Sequence, residues 1–229
     1  MSRQASSQSV DALGQLDTAP LHDQVYVRLR QLIMAGGFLP GEMFSMQRLA
    51  TTLGTSTTPV REALRRLAAE RAIEIRPKRA VRIPAMSRAK FKEIGDIRVA
   101  LEGLATAYAA QRITDAEIQA LRALNASADE ALSGADIRRY LELNQSFHFG
   151  IYGAAASLVA VPIIESLWVQ IGPVQGLYSD TGVSLGSETH WEILDALVRR
   201  DSFAARRAVE TDIGIGIQFL LANATFSDT

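Results

Sequence analysis

Two short amphipathic helices joined by a tight turn within residues 45–69 limit the fold more than any other feature of the chain. Ser45 can cap the first helix, and Gly54 ends it. Ser56 can cap the second helix, which accepts Pro59 because proline is tolerated in a first helical turn. Apolar side chains recur at helical spacing in both segments, so one face of each helix points inward. The pattern predicts a helix-turn-helix unit.

Sequence on both sides of this unit extends the prediction. An amphipathic helix begins at Leu21 and closes at a glycine pair, residues 36–37. Residues 73–83 alternate apolar and polar side chains around a basic tip formed by Lys78 and Arg79. This segment predicts a β-hairpin wing, and its tip suits contacts with phosphates or with the minor groove.

Charge divides the chain into two parts. Residues 20–90 carry 13 Lys and Arg against 5 Asp and Glu, a net charge of +8. Residues 91–229 carry 10 against 18, a net charge of −8. The excess of positive charge on a helix-turn-helix predicts nucleic-acid binding. A plainer alternative, two halves that simply attract each other, stays open at this point.

The acidic part has helical periodicity throughout. Plausible helix starts and stops predict an antiparallel bundle with one core, built from six helices near residues 87–111, 114–133, 135–154, 157–179, 187–200 and 201–223. The predicted fold is therefore mainly α: an N-terminal winged helix-turn-helix followed by a bundle of about six helices.

Composition excludes several other classes. The chain has no cysteine, so it has neither disulfides nor thiolate metal sites, which fits a reducing compartment. Residues 1–19 are rich in Ser and Gln and predict a disordered tail rather than a signal peptide. The longest run without charge or histidine, residues 149–164, is too short to span a bilayer. We expect a cytoplasmic protein without a membrane partner.

The run Ser56-Thr57-Thr58-Pro59-Val60-Arg61-Glu62-Ala63-Leu64 resembles the winged helix of GntR-family transcription regulators. The resemblance implies a double-stranded DNA partner with a palindromic operator. It also implies a set of DNA-binding residues: Gln47, Arg48, Ser56, Thr57, Thr58, Arg61, Arg65, Lys78 and Arg79. The chain departs from many relatives by having Thr57 in place of arginine, and Arg71 and Ala80 in place of glycine. We therefore expect Arg71 and Ala80 to adopt backbone conformations that glycine accepts at lower cost. Because threonine cannot make arginine's bidentate contact with guanine, we expect a different operator sequence.

Residues 94–102 resemble the first helix of the FCD domain, the effector-binding partner of this winged helix in the FadR-like subfamily. The resemblance implies three parts: a tail over residues 1–19, a DNA-binding domain over 20–85, and an FCD-like effector-binding and dimerisation domain over 86–224. Six helices rather than seven are closer to the VanR-type branch. By resemblance, Arg98 points into the bundle and binds a carboxylate effector. A surface ion pair with Glu102 or Asp96 is the alternative for Arg98.

The same resemblance implies a metal site made of Asn144, His148, His190 and Asp212. In metal-binding relatives the last of these ligands is a histidine, whereas this chain has aspartate. Two imidazoles with oxygen donors suit a divalent metal such as Zn, Ni, Mn or Fe. The alternative is a polar network in which the histidines bond to Asn144 and Asp212 around a water-filled pocket.

The sequence patterns and the family resemblance together predict a homodimeric transcription regulator, more specifically a repressor, controlled by a small organic acid. Two other functions remain open: a regulator for which the metal ion is itself the signal, and a metal-dependent hydrolase. We expect no enzyme, because the sequence contains no nucleophile elbow, phosphate-binding glycine loop or base-nucleophile pair.

Overall fold

A computed structural model describes residues 20–77, 80–178 and 188–227. The expected tail over residues 1–19 and the wing tip at Lys78 and Arg79 lie outside these ranges. Nine helices and three short strands are present within them. None of these helices is long and apolar enough to cross a membrane. The expected class, mainly α with a winged helix followed by a helical bundle, is confirmed.

The first six elements form a winged helix. The helices are α1 (Leu21–Met34), α2 (Met46–Thr52) and α3 (Thr57–Ala69), and the strands are β1 (Met43–Ser45), β2 (Glu74–Ile75) and β3 (Ala80–Arg82). The strand order is β1-β3-β2, with both pairings antiparallel. The sequence indicated the β2-β3 hairpin but not β1, which adds a third strand to it.

A side-chain cap explains where α2 begins, and apolar spacing explains how α3 packs. The hydroxyl of Ser45 accepts a hydrogen bond from the Arg48 backbone N–H at 3.1 Å, the cap expected for α2. Ser56 occupies the N-cap position of α3 but makes no side-chain capping bond there. The inward face of α3 is fully buried, through Val60, Ala63, Leu64 and Leu67. The apolar spacing seen in the sequence thus determines which side of α3 faces solvent.

Glycine at two positions in relatives gave an expectation about backbone conformation. Arg71 does adopt a left-handed conformation, with φ of 61°, which costs a non-glycine residue about 1 kcal/mol. Ala80 does not, because it lies in the extended strand β3. The expectation is therefore correct for Arg71 and wrong for Ala80.

Six helices form the second part of the chain: α4 (Arg88–Arg112), α5 (Asp115–Ser133), α6 (Ile137–Ala155), α7 (Ala160–Gln175), α8 (Glu188–Val198) and α9 (Ser202–Asn223). Side-chain caps set several of their starts. Ser87 caps α4, and Thr114 forms a reciprocal capping box with Glu117 on α5. Asp136 and Asp201 cap α6 and α9. The helices pack antiparallel around one apolar core, which is continuous with that of the winged helix.

The two parts meet where α1 crosses α7, at a contact between backbones. A Cβ atom added to Gly172 would lie 2.7 Å from the Cα of Met34, which is closer than two nonbonded carbons can approach. Gly36 and Gly176 meet in the same way: a Cβ atom added to Gly36 would lie 2.6 Å from the backbone nitrogen of Gly176. We call this contact the glycine seam. An ion pair between Arg30 and Glu165, at 3.2 Å, joins the same two helices.

We predict that Gly172→Ala destabilises the protein by about 1–3 kcal/mol, because the new methyl group forces α1 and α7 apart. Urea denaturation of the full chain measures the change. Gly153→Ala is the matched control: Gly153 is also helical, and an added Cβ meets nothing within 4 Å there. That control should gain about 0.5–1 kcal/mol from helix propensity. Equal effects of the two variants would contradict the close approach at the seam.

Candidate functional site

One side of the winged helix carries arginines whose charge is not used within the fold. Arg48 and Arg65 are exposed and Arg61 is half-buried. In the described ranges no carboxylate lies within ion-pair distance of these three guanidinium groups. Arg66, on the same helix, instead bonds to Asp23 and lies 3.7 Å above the ring of Tyr26. Three free arginines at the start and side of the two helices provide a surface for a polyanion.

Four of the other residues expected to contact DNA lie at the starts of the same two helices. Gln47 precedes Arg48 on α2, and the exposed Ser56 and Thr58 stand at the start of α3 beside the half-buried Thr57. Lys78 and Arg79 lie outside the described residues. Helix N-termini with adjacent hydroxyl and guanidinium groups are suited to phosphate and base-edge contacts.

A cavity of about 290 Å³ lies inside the helical bundle, between α4, α6, α7, α8 and α9. Arg98, Asn144, His148 and Asp212 all line it, together with many apolar side chains. His190 is 1% exposed and lies in the wall, in contact with Asp212 rather than with the cavity itself. The fold thus brings residues from four different helices to one end of a single cavity.

Three donors converge at this end. His148 Nε2 lies 3.2 Å from one oxygen of Asp212, and His190 Nε2 lies 3.6 Å from the other oxygen. All three ligand atoms lie within 4.8 Å of one another. A tetrahedral metal ion about 2.1 Å from each donor requires donor separations of about 3.4 Å. The arrangement therefore fits such an ion with only small adjustments.

The hydrogen bonds behind the two imidazoles assign their tautomers. His190 Nδ1 lies 2.8 Å from Oδ1 of Asn125, an acceptor, so Nδ1 carries the proton. His148 Nδ1 lies 3.2 Å from the hydroxyl of Tyr152, whose own proton goes to the carboxylate of Glu102. Nδ1 of His148 is then also a donor. Both Nε2 atoms are left with lone pairs that face Asp212, as they are in metal-ligating histidines.

The protonation states strengthen this conclusion. Burial, more than any nearby charge, lowers the pKa of His190 to about 4, so its imidazole is neutral at pH 7. Burial alone raises the pKa of Asp212, but its close contacts with His148, His190 and the Thr189 hydroxyl bring it to about 2. An ionised carboxylate facing two nitrogen lone pairs is repulsive unless a cation lies between them. That cation is either a metal ion or a proton on His148 Nε2.

Beside this triad, Arg98 forms a buried ion pair with Glu102. The Arg98 Nε atom lies 2.7 Å from Glu102 Oε1, and the two side chains are 5% and 0% exposed. The same carboxylate accepts hydrogen bonds from Trp168 Nε1, at 3.0 Å, and from the Tyr152 hydroxyl. Although burial opposes its charge, Glu102 raises the pKa of Arg98. Arg98 is thus a charged residue of the cavity wall, and Glu102 supplies the opposite charge.

Comparison with known proteins relates both parts of the chain to one family. Residues 21–83 match the model of bacterial regulatory proteins of the gntR family, and residues 93–214 match the FCD domain. The chain belongs to the GntR family of transcription regulators, with an FCD domain. Family and relatives are regulators rather than enzymes, so the hydrolase alternative is not supported.

Two curated relatives and one solved structure illustrate the similarity. The transcriptional regulator McbR of Escherichia coli K12 is 32% identical over 70% of this chain and 72% of its own length. A probable D-xylose utilization operon repressor of Paenarthrobacter nicotinovorans is 30% identical over 77% and 78%. The solved structure of E. coli McbR superposes with a TM-score of 0.84 at 28% identity, covering 90% of this chain and 99% of McbR.

Within this GntR-family chain, the expected metal residues are only partly brought together. Asn144 lines the cavity one turn before His148, but no hydrogen bond or ion pair within the described residues joins it to the triad. Asn125, which holds His190, was missed by the sequence analysis. Its signal was present: Asn125 interrupts an otherwise apolar, buried face of α5 that includes Ile118, Leu121 and Ala128.

The expected alternative for Arg98, an ion pair on the surface, is wrong in its location. The pair with Glu102 exists, but it lies in the interior and borders the cavity of the FCD domain. Periodicity places both residues on one helical face but does not tell whether that face is covered. The assignment to the VanR-type branch stays a prediction.

We predict that Glu102→Gln destabilises the protein by about 3–5 kcal/mol, because the buried Arg98 charge loses its counterion. Urea denaturation of the full chain measures the change. Glu142→Gln is the matched control, since Glu142 pairs with Arg138 and Arg139 at the surface and is 40% exposed. Its substitution should cost less than about 1 kcal/mol. Equal losses in both variants would refute the dependence of Arg98 on Glu102.

Proposed function

We propose that the protein is a homodimeric repressor whose operator binding is controlled by a small carboxylate in the bundle cavity. That it is a transcription regulator of the GntR type follows from its family. Repression is supported by two relatives that are described as repressors, one of them RspR of E. coli K12. In a dimer each winged helix reads one half-site, which matches a palindromic operator.

The observation that carries the proposal is the convergence of donors at one end of the cavity. His148, His190 and Asp212 would hold a divalent metal such as Zn, Ni, Mn or Fe, and Arg98 lies at the same end of the cavity. When bound, the metal supplies an open coordination position for an effector carboxylate. The Arg98 guanidinium donates hydrogen bonds to Glu102 from Nε and Nη2. Its Nη1 atom therefore remains available to bond to the effector carboxylate.

Helix α7 supports a route from the cavity to the DNA-binding part. Trp168, Ile171 and Gln175 line the cavity from α7, while Gly172 packs against α1 on the other side of that helix. An effector that favours one position of α7 would therefore favour one placement of the winged helix. Differential affinity for the two arrangements is all that regulation requires.

For DNA binding, we predict that Arg61→Ala weakens operator affinity about 10- to 100-fold, because the charge of Arg61 is unused within the fold and lies on the recognition helix. Fluorescence anisotropy with DNA from upstream of the gene, in the presence of competitor DNA, measures the affinity. Arg138→Ala is the control, since this exposed arginine lies on the bundle helix α6. Full operator affinity in Arg61→Ala would count against the proposed DNA surface.

For the metal, we predict about one transition-metal ion per chain after purification without chelators. His148→Ala should lose the ion, and Asn125→Ala should weaken metal binding about 10- to 100-fold because the His190 ring is no longer held. Elemental analysis and calorimetric titration with Zn²⁺ measure these changes. Ser146→Ala is the control, because Ser146 lies on the exposed side of the same helix.

Metal and operator binding together separate three alternatives for the cavity. Absence of Zn²⁺ binding in the wild type would favour the polar network, in which a proton on His148 supplies the positive charge. If the metal alone changes operator affinity, in a comparison of chelated and metal-loaded protein without organic acid, the ion is the signal. If operator affinity changes only after an acid is added to metal-loaded protein, the acid is the signal.

A further inference from the structure

The cavity is elongated and has one polar end. Arg98 and Phe91 both line it from α4 and are seven residues apart, which is about 10 Å along a helix. On α7, Trp168 and Gln175 are separated by the same interval. Trp168 bonds to Glu102 at the polar end, so Gln175 lies toward the other end. We call the part beyond Asn144, away from the triad, the far arm.

Antiparallel packing of α4 and α9 fixes which side chains surround the far arm. Gly95 packs against Ile217, and Gly103 packs against Glu210, so positions further along α9 lie beside earlier positions of α4. Leu220 therefore lies near Phe91, about 12 Å along α9 from Asp212. Phe226 packs on Phe91 with ring centroids 5.1 Å apart and adds to the apolar surface at this end.

Among the described residues that line the cavity, positive charge is confined to the polar end; Arg88, beyond the other end, is exposed and bonds to the backbone carbonyl of Leu221. Arg98 is the only lysine or arginine among the described residues that line the cavity. The sequence has no Lys or Arg between Arg139 and Arg199, and none after Arg207, so α7, α8 and the relevant half of α9 cannot supply another. A second anionic group of a ligand would be buried in the far arm without a cation, which is strongly unfavourable.

Hydrogen-bonding capacity is also small in the far arm. The hydroxyl of Tyr178 already donates a hydrogen bond to the backbone carbonyl of Gly216, at 3.0 Å. The remaining polar side chains of the arm among the described residues are Gln175, Tyr140 and the exposed Glu188, whose carboxylate disfavours a second anionic group. The apolar lining includes Phe91, Leu141, Ile171, Ile217, Phe219 and Leu220. A ligand with many hydroxyl groups would leave most of them without partners, at a cost for each.

We propose that the cavity selects a monocarboxylate with an apolar body no longer than about 10 Å, and discriminates against dicarboxylates and polyhydroxylated acids. The carboxylate occupies the end with Arg98 and the triad, and the hydrocarbon body fills the far arm. This inference rests on the proposed function, since it names the class of acid that the same cavity binds.

Three acids with six carbons test the inference, because they differ only in what the far arm would hold. Hexanoate has a hydrocarbon chain, adipate adds a second carboxylate, and gluconate adds hydroxyl groups. Calorimetric titration of the full-length, Zn²⁺-loaded protein should give hexanoate at least tenfold tighter binding than either of the others. Adipate or gluconate binding as tightly as hexanoate, or no binding by any of the three acids, would overturn the inference.

A charge introduced into the far arm provides a second test that does not depend on wild-type affinity alone. Gln175→Lys places a cation about 10 Å from the polar end and should improve adipate binding at least tenfold relative to hexanoate. Gln175→Met, of similar length but neutral, should keep the wild-type preference. An unchanged preference in Gln175→Lys would show that the body of the ligand does not lie in this arm.

Operator release, measured by anisotropy with the same acids, separates this inference from the proposed function. If hexanoate binds preferentially but leaves operator affinity unchanged, the ligand class stands and effector control fails. If gluconate or adipate binds best and releases the operator, effector control stands and the ligand class fails.

Discussion

The fully buried carboxylate of Glu102 is the constraint on which the interior of the bundle depends. A buried charge without partners costs several kcal/mol, and here three donors from three helices offset that cost. Arg98 comes from the same helix, Tyr152 from α6 and Trp168 from α7. Because these bonds have fixed lengths and directions, they set how the three helices pack and leave a cavity beside them rather than a filled core.

The same carboxylate also orients the chemistry of the candidate metal site. Burial and Glu102 raise the pKa of Tyr152 well above its usual value, so the phenol keeps its proton and donates it to Glu102. His148 then has to donate from Nδ1 and present Nε2 to the carboxylate of Asp212. Asn125 has the equivalent role behind His190. The properties of the donors are therefore decided by residues that never reach the cavity surface.

Sequence patterns predicted most of the fold, because helical and strand periodicity report which side of an element is covered. They predicted the inward face of α3 and placed six bundle helices within a few residues of their observed bounds. Sequence patterns do not identify the hydrogen-bond partners of polar side chains on a covered face. Glu102 and Asn125 each interrupt an apolar face, but periodicity cannot tell which side chain on another helix completes their hydrogen bonds. Strand β1 was missed because three residues carry too little alternation to be recognised.

Packing at the glycine seam decides whether a change in the cavity can reach the DNA-binding part. Where side chains separate two helices, rotamer changes can absorb a small displacement of one of them. At Gly172 and Gly176 the backbones themselves are in contact, so no side chain is available to do so. If a ligand against Trp168 or Ile171 shifts α7, that shift would then be transferred to α1. Since α1 and α3 share the buried core of the winged helix, a displacement of α1 would also carry α3.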